Sequence, residues 1–142
     1  MSDPNLDVSE LATQLRLVCM RISRRVRFES VSSLAPHQFS VLVRLAEAQR
    51  TPRELADIEK VSAPSMTRTV NGLAERGLVD RNPDPHDGRC VIVSLTDAGR
   101  ALLVETRAAQ DGWMVSRVGE LTAYEQGVLA EATEILRKVA QQ

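Results

Sequence analysis

The chain has 142 residues, 43% of them hydrophobic and 26% charged, with a formal net charge of -1. That length supports one domain with a real core, and that composition excludes disorder as the general state. No stretch approaches the roughly 18 unbroken apolar residues of a membrane span, and "MSDPNLDVSE" lacks the basic lead and apolar run of a secretory signal. The cytoplasm is therefore the expected compartment, with no membrane partner. Cys19 and Cys90 lie far apart in the chain and fit reduced thiols in that compartment. Charge is unevenly placed: between residues 16 and 50, Arg16, Arg21, Arg24, Arg25, Arg27, Arg44 and Arg50 face only Glu29 and Glu47.

Aromatic residues are only 3% of the chain, so helical periodicity is the signal to follow. After a flexible tail at 1–6, Asp7 and Glu10 have the spacing of a capping box. Leu11, Leu15, Val18, Ile22 and Val26 then recur every three or four positions, which predicts a helix from about 8 to 29. A second apolar series, Phe39, Leu42, Val43 and Leu45, begins just after Pro36 and ends before Gln49. "TPRELADIEK" opens a third helix, with Thr51 as N-cap, Pro52 in the first turn and Glu54 closing the box. That helix must be short, because "VSAPSMTRTVNGLAERG" starts another, with Ser62 as cap and Gly77 as stop. Two short helices joined by a tight turn make a helix-turn-helix.

Beyond Gly77 the period changes to two. Val79 and Arg81 alternate before a Pro-Asp-Pro stretch, and Val91, Val93 and Leu95 alternate after it, which predicts a two-stranded hairpin. Helices resume at Thr96 and again at Thr122, where Glu125 completes a further capping box.

The hairpin tip, "NPDPHDGRC", admits three readings. As metal ligands, His86, Asp87 and Cys90 fall short of the four a structural zinc requires, and His37 is the sole other histidine. As a nucleophile, Cys90 with a histidine base would need a third orienting group, which nothing in the chain supplies. No catalytic residue, metal or cofactor is therefore assigned, and an enzyme is not expected. As a turn, each residue has a role: Pro83 and Pro85 stiffen the approach, Asp84 and Asp87 suit bends, and Gly88 is expected to supply a positive φ. Arg89 then projects beyond the hairpin body. A helix-turn-helix followed by such a hairpin is a winged helix.

The wing residues carry a specific resemblance. Asp87, Arg89, Val93, Leu95, Thr96 and Gly99 match Asp-x-Arg, three residues, then Val-x-Leu-Thr-x-x-Gly, and "VSAPSMTRTVNGLAERGLVDR" is similar to a recognition helix and its following strand. On these residues the chain resembles the MarR family of bacterial transcriptional regulators along essentially its whole length. Gly88 and Ala35 depart from that pattern, the first standing where a basic residue is common and the second where a capping Thr is common. The expected fold is mainly α with a small β-hairpin wing. It would comprise an N-terminal dimerisation helix within 7–35, a winged helix-turn-helix at 36–96 and C-terminal dimerisation helices at 97–142.

In the recognition helix, Met66, Thr69, Val70 and Leu73 should pack inward at 100 degrees per residue, leaving Pro64, Thr67, Arg68 and Asn71 outward and Ser65 on the flank. Arg68 suits guanine O6 and N7, Asn71 suits an adenine edge, and the Thr67 methyl suits thymine. Ser62 and Ser65 would hold phosphates through their hydroxyls and the helix N-terminus. Arg89 would enter a narrow minor groove, oriented by Asp87 through a charged hydrogen bond. The bland counterparts are a solvated helix face and a surface salt bridge worth roughly 0 to 1 kcal/mol. From residue 51 to 89 acidic residues outnumber basic ones by seven to six, so affinity would depend on placement rather than net charge.

Leu11, Leu15, Leu129, Leu136 and Val139, with Ile22, Leu102, Trp113 and Leu121, exceed what a small winged helix can cover, and a symmetric homodimer would bury them. The resemblance implies the same dimer, formed through the terminal helices on a pseudo-palindromic duplex operator. It further implies repression relieved by a small aromatic or phenolic effector, bound between the dimer helices and the DNA-binding lobe. One branch of the family senses peroxide through a reactive cysteine. Here Cys19 is expected to be a buried, inert thiol beside an apolar stripe, and Cys90 a strand residue. The alternative from another class is a winged-helix protein-interaction module that binds no specific DNA.

Overall fold

The computed structural model describes residues 7–30 and 32–141; the tail expected at 1–6 lies outside them. The described residues form two compact units, one running from Ser32 to Ala109, the other made of those up to Ser30 with those from Gln110 onward. The first half of the fifth helix thus goes with the helix-turn-helix.

Local chemistry accounts for the boundaries in the central unit. Helix α2 (Pro36–Glu47) begins at Ala35, which has no side-chain acceptor, and Gln38 compensates by accepting from the Ala35 N–H at 3.1 Å. At α3 (Pro52–Glu59) the capping box is reciprocal: Thr51 Oγ1 accepts from Glu54 N at 3.1 Å, and Glu54 Oε2 accepts from Thr51 N at 2.7 Å. Lys60 then reverses the chain in the left-handed region, at φ 53°. Helix α4 (Ala63–Glu75) ends in a Schellman turn, with Gly77 N donating to Ala74 O and Leu78 N to Leu73 O. The turn needs φ of +71° at Gly77, which explains glycine there.

Strands β1 (Val79–Pro83) and β2 (Val91–Leu95) pair antiparallel, with Val79 opposite Leu95 and Arg81 opposite Val93. Arg50, between α2 and α3, adds a short bridge to Val93 on the other edge of β2. Leu42, Leu55, Met66, Val70, Leu73, Val79, Val93 and Leu103 form the buried core beneath these elements. The inward set expected of α4 is correct: Met66, Val70 and Leu73 are buried and Thr69 is half-buried.

Helix α1 (Val8–Glu29) starts at Asp7, whose carboxylate accepts from Ser9 N at 2.9 Å. The box expected with Glu10 does not close, because Asp7 engages the second amide of the helix instead of the third. Helix α5 spans Asp97–Gly119, and α6 spans Ala123–Ala140 behind a reciprocal Thr122–Glu125 box. Neither α1 nor α6 contains a buried residue. Cys19 is accordingly exposed, against the expectation of a core thiol, since none of the described residues covers the apolar stripe beside it. No helix among the described residues is long and apolar enough to cross a membrane.

Candidate nucleic-acid interface

The exposed face of α4 follows from its buried one. Pro64, Thr67 and Arg68 are exposed, while Ser65 and Asn71 are half-buried at its margins. The Thr67 hydroxyl donates to the Ala63 carbonyl at 3.0 Å, which turns its methyl away from the helix axis. Arg68 donates to Ser65 Oγ at 3.2 Å, a contact one turn back that leaves other guanidinium N–H groups open.

The N-terminus of α4 is a poorer anion site than its sequence suggests. Ser62 Oγ accepts from Ser65 N at 3.3 Å, Met66 N bonds to the Ser62 carbonyl, and Pro64 has no N–H. That leaves the Ala63 amide, with the Ser62 and Ser65 hydroxyls, as the donors at the tip among the described residues.

Asn71 has a partner that the sequence reading of α4 does not include. Arg81 on β1 donates to its side-chain oxygen, so the amide is not free to offer both its atoms to an adenine. Arg81 lies on β1, so helix periodicity along α4 does not point to it. Strand alternation puts Arg81 on the same face as the buried Val79, although Arg81 itself is exposed.

At the wing, two side-chain turns build the tip. Asp84 Oδ1 accepts from His86 N at 2.8 Å, and Asp87 Oδ1 accepts from Arg89 N at 3.1 Å. Asp87 therefore holds the backbone of Arg89 and not its guanidinium, because the turn brings the amide within reach of the carboxylate while the side chain extends outward. Arg89 is exposed and forms no ion pair among the described residues. Gly88 is not at positive φ, since the side-chain turns bend the tip without it. Cys90 sits in the turn just before β2 rather than on the strand, and it is exposed. The Asp87 carboxylate chiefly, with burial, the Asp87 hydrogen bond and Asp84 adding, pushes the Cys90 thiol above its ordinary value. No cluster of three potential metal ligands occurs among the described residues.

Two further ties position α4. Arg76, at its C-cap, donates to the Ser33 carbonyl at 3.1 Å and to Ser33 Oγ at 3.1 Å, fastening the helix end to the segment before α2. Glu59, ending α3, accepts from Ser40 at 2.6 Å and from Arg44 at 3.0 Å on α2. Burial pushes the Glu59 carboxyl up, but the Ser40 and Arg44 hydrogen bonds outweigh it and leave the group below its ordinary value.

Comparison with known proteins bears on this geometry. Residues 32–89 match the profile described as "MarR family". An uncharacterized HTH-type transcriptional regulator of Mycobacterium bovis is 41% identical over 130 residues, which cover 90% of this chain and 91% of that one. A putative transcriptional regulator from Pseudomonas aeruginosa superposes with a TM-score of 0.79 at 32% identity, covering 98% of this chain and 99% of that one. A mutant form of MarR from Escherichia coli gives 0.77 at 27% identity, covering 97% and 99%.

Proposed function

Because the chain belongs to the MarR family of DNA-binding winged-helix transcriptional regulators, and not to an enzyme family, we propose that it acts as a cytoplasmic homodimeric repressor on a pseudo-palindromic operator. The observation that carries this reading is the pairing of an outward α4 face, Pro64, Thr67 and Arg68, with an exposed Arg89 at the wing tip. Arg68 forks onto guanine in the major groove, the Thr67 methyl meets a thymine methyl, and Arg89 enters the adjacent minor groove. Ser62 and Ser65 fix the register on the phosphates, and Asp87 holds the backbone of Arg89 at the wing tip.

The dimer reading is supported by α1 and α6. Leu11, Leu129 and Val139 are 49%, 43% and 58% exposed, and Leu15 and Leu136 are half-covered, an apolar surface that a second copy would bury. Two recognition helices related by a twofold then meet half-sites about one helical turn apart.

DNA release is assigned to a small aromatic effector. The raised Cys90 thiol supports this choice, since the thiolate is the form that oxidants attack. Selection of bound duplexes from a random pool by the purified protein tests the whole reading. A pseudo-palindromic consensus is expected, with affinity falling steeply as salt rises. Enrichment of no sequence, or equal affinity for selected and scrambled duplexes, would instead favour a protein-interaction module.

A further inference from the structure

Arg81 lies on β1, opposite the buried Val93 and two residues from the buried Val79, and is itself exposed. Its guanidinium donates to the side-chain oxygen of Asn71, ten positions earlier on α4. A guanidinium has donors only, so the Asn71 atom turned toward the hairpin must be the carbonyl oxygen, and the NH2 group must be the one turned away. Asn71 is half-buried at the margin of the outward face, beside Arg68.

We propose that Arg81 is a specificity-determining residue: by fixing the Asn71 amide with its NH2 outward, it makes Asn71 a reader of base acceptors. This rests on the DNA-binding reading above. An asparagine that pairs with adenine offers oxygen and nitrogen side by side, accepting from N6 while donating to N7. With its oxygen turned to β1, Asn71 offers donors alone. Its matching edges are then guanine O6 and N7 or thymine O4. Sequence inspection of α4 assigns Asn71 to adenine; the strand behind the helix reverses that preference. Arg81 itself touches no base in this arrangement and acts through Asn71.

The test compares sites selected from a random duplex pool by the full-length wild type, Asn71→Ala, Arg81→Met and, as a control, Arg68→Ala. Methionine keeps the apolar stem but has no donor, and circular dichroism establishes that each variant is folded. In wild type, the half-site position that loses its preference in Asn71→Ala should hold guanine or thymine. In Arg81→Met the freed amide should move that position toward adenine, changing the adenine-to-guanine affinity ratio roughly tenfold. Other positions should stay as they were, and Arg68→Ala should relax a different one. Adenine at the Asn71 position in wild type would overturn the proposal. So would Arg81→Met lowering affinity uniformly with a shallower salt slope, the mark of a phosphate contact. If wild type enriches no site, the DNA-binding reading falls and takes this one with it, an outcome distinct from either of the others.

Discussion

Gly99 lies against the Leu78 carbonyl so closely that a β-carbon on it would stand 2.1 Å from the oxygen. The same corner is tied by Thr96, whose N–H donates to Leu78 O at 3.2 Å and whose hydroxyl donates to Gly77 O at 2.7 Å. Thr96 Oγ1 also accepts from Gly99 N at 3.0 Å, capping α5. The Leu-Thr-x-x-Gly run of the wing motif is therefore a joint between the Schellman turn after α4 and the start of α5.

Gly99→Ala should accordingly destabilise the central unit by about 3 kcal/mol, the upper part of the range for overpacking, since backbone rather than a flexible side chain must move. Gly88→Ala, with open space around it, should change stability by roughly 0.5 kcal/mol or less. Urea denaturation of both variants measures the contrast. Equal midpoints would show that the corner relaxes freely.

Glu59 gives the stability a pH dependence. Its folded-state pKa is lowered, so its contribution is fully present above the unfolded value of about 4.3 and is lost as pH falls through the folded value. Glu59→Gln should cost about 1 to 2 kcal/mol at neutral pH, because hydrogen bonds to a charged acceptor from Ser40 and Arg44 are weakened. Below pH 4 the gap between variant and wild type should narrow. A gap that stays constant from pH 7 to pH 3 would mean that the carboxylate charge contributes nothing.

The expected dimer and the expected effector make separate demands. Light scattering at micromolar protein should give twice the chain mass, and Leu129→Asp with Val139→Asp should shift it toward the monomer. Peroxide should leave DNA binding unchanged in wild type and in a variant with Cys19 and Cys90 both replaced by serine. The exposure of Cys19 makes this a sharp comparison. Loss of DNA by oxidised wild type alone would assign release to a thiol and remove the need for a small molecule.

What the sequence disclosed, and what it hid, divides by range of interaction. Caps at Thr51, Ser62 and Thr122, the stop at Gly77 and the buried set Met66, Val70 and Leu73 all follow from neighbours within a turn or two, so spacing reveals them. A carboxylate next to an arginine suggests charge pairing, whereas the tight turn makes the nearer backbone amide the donor to Asp87. The Asn71–Arg81 tie depends on how a strand packs behind a helix, and no periodicity along α4 encodes that. An apolar stripe implies cover for Cys19, and the described residues of one chain do not supply it.

Arg68 and Arg89 are assigned to different kinds of readout, and that separation is the most demanding consequence of the geometry. Arg68 is exposed on α4 with one donor on Ser65 and the rest open. Arg68→Ala should cost roughly 1 to 3 kcal/mol of binding and relax preference at one guanine in each half-site. Arg89 stands at the wing tip with its backbone held by Asp87, and the minor groove does not distinguish A·T from T·A. Arg89→Ala should therefore weaken binding most where A·T-rich flanks narrow the minor groove, and leave the half-site preferences intact. Because Asp87 grips the Arg89 amide, which alanine retains, the substitution should not unfold the tip, whereas Asp87→Ala should loosen it and mimic part of the Arg89 loss. Titration of the two arginine variants against operators that differ only in their flanks tests both assignments. Unchanged affinity of Arg89→Ala on every flank would leave the wing as a structural hairpin with no hold on DNA.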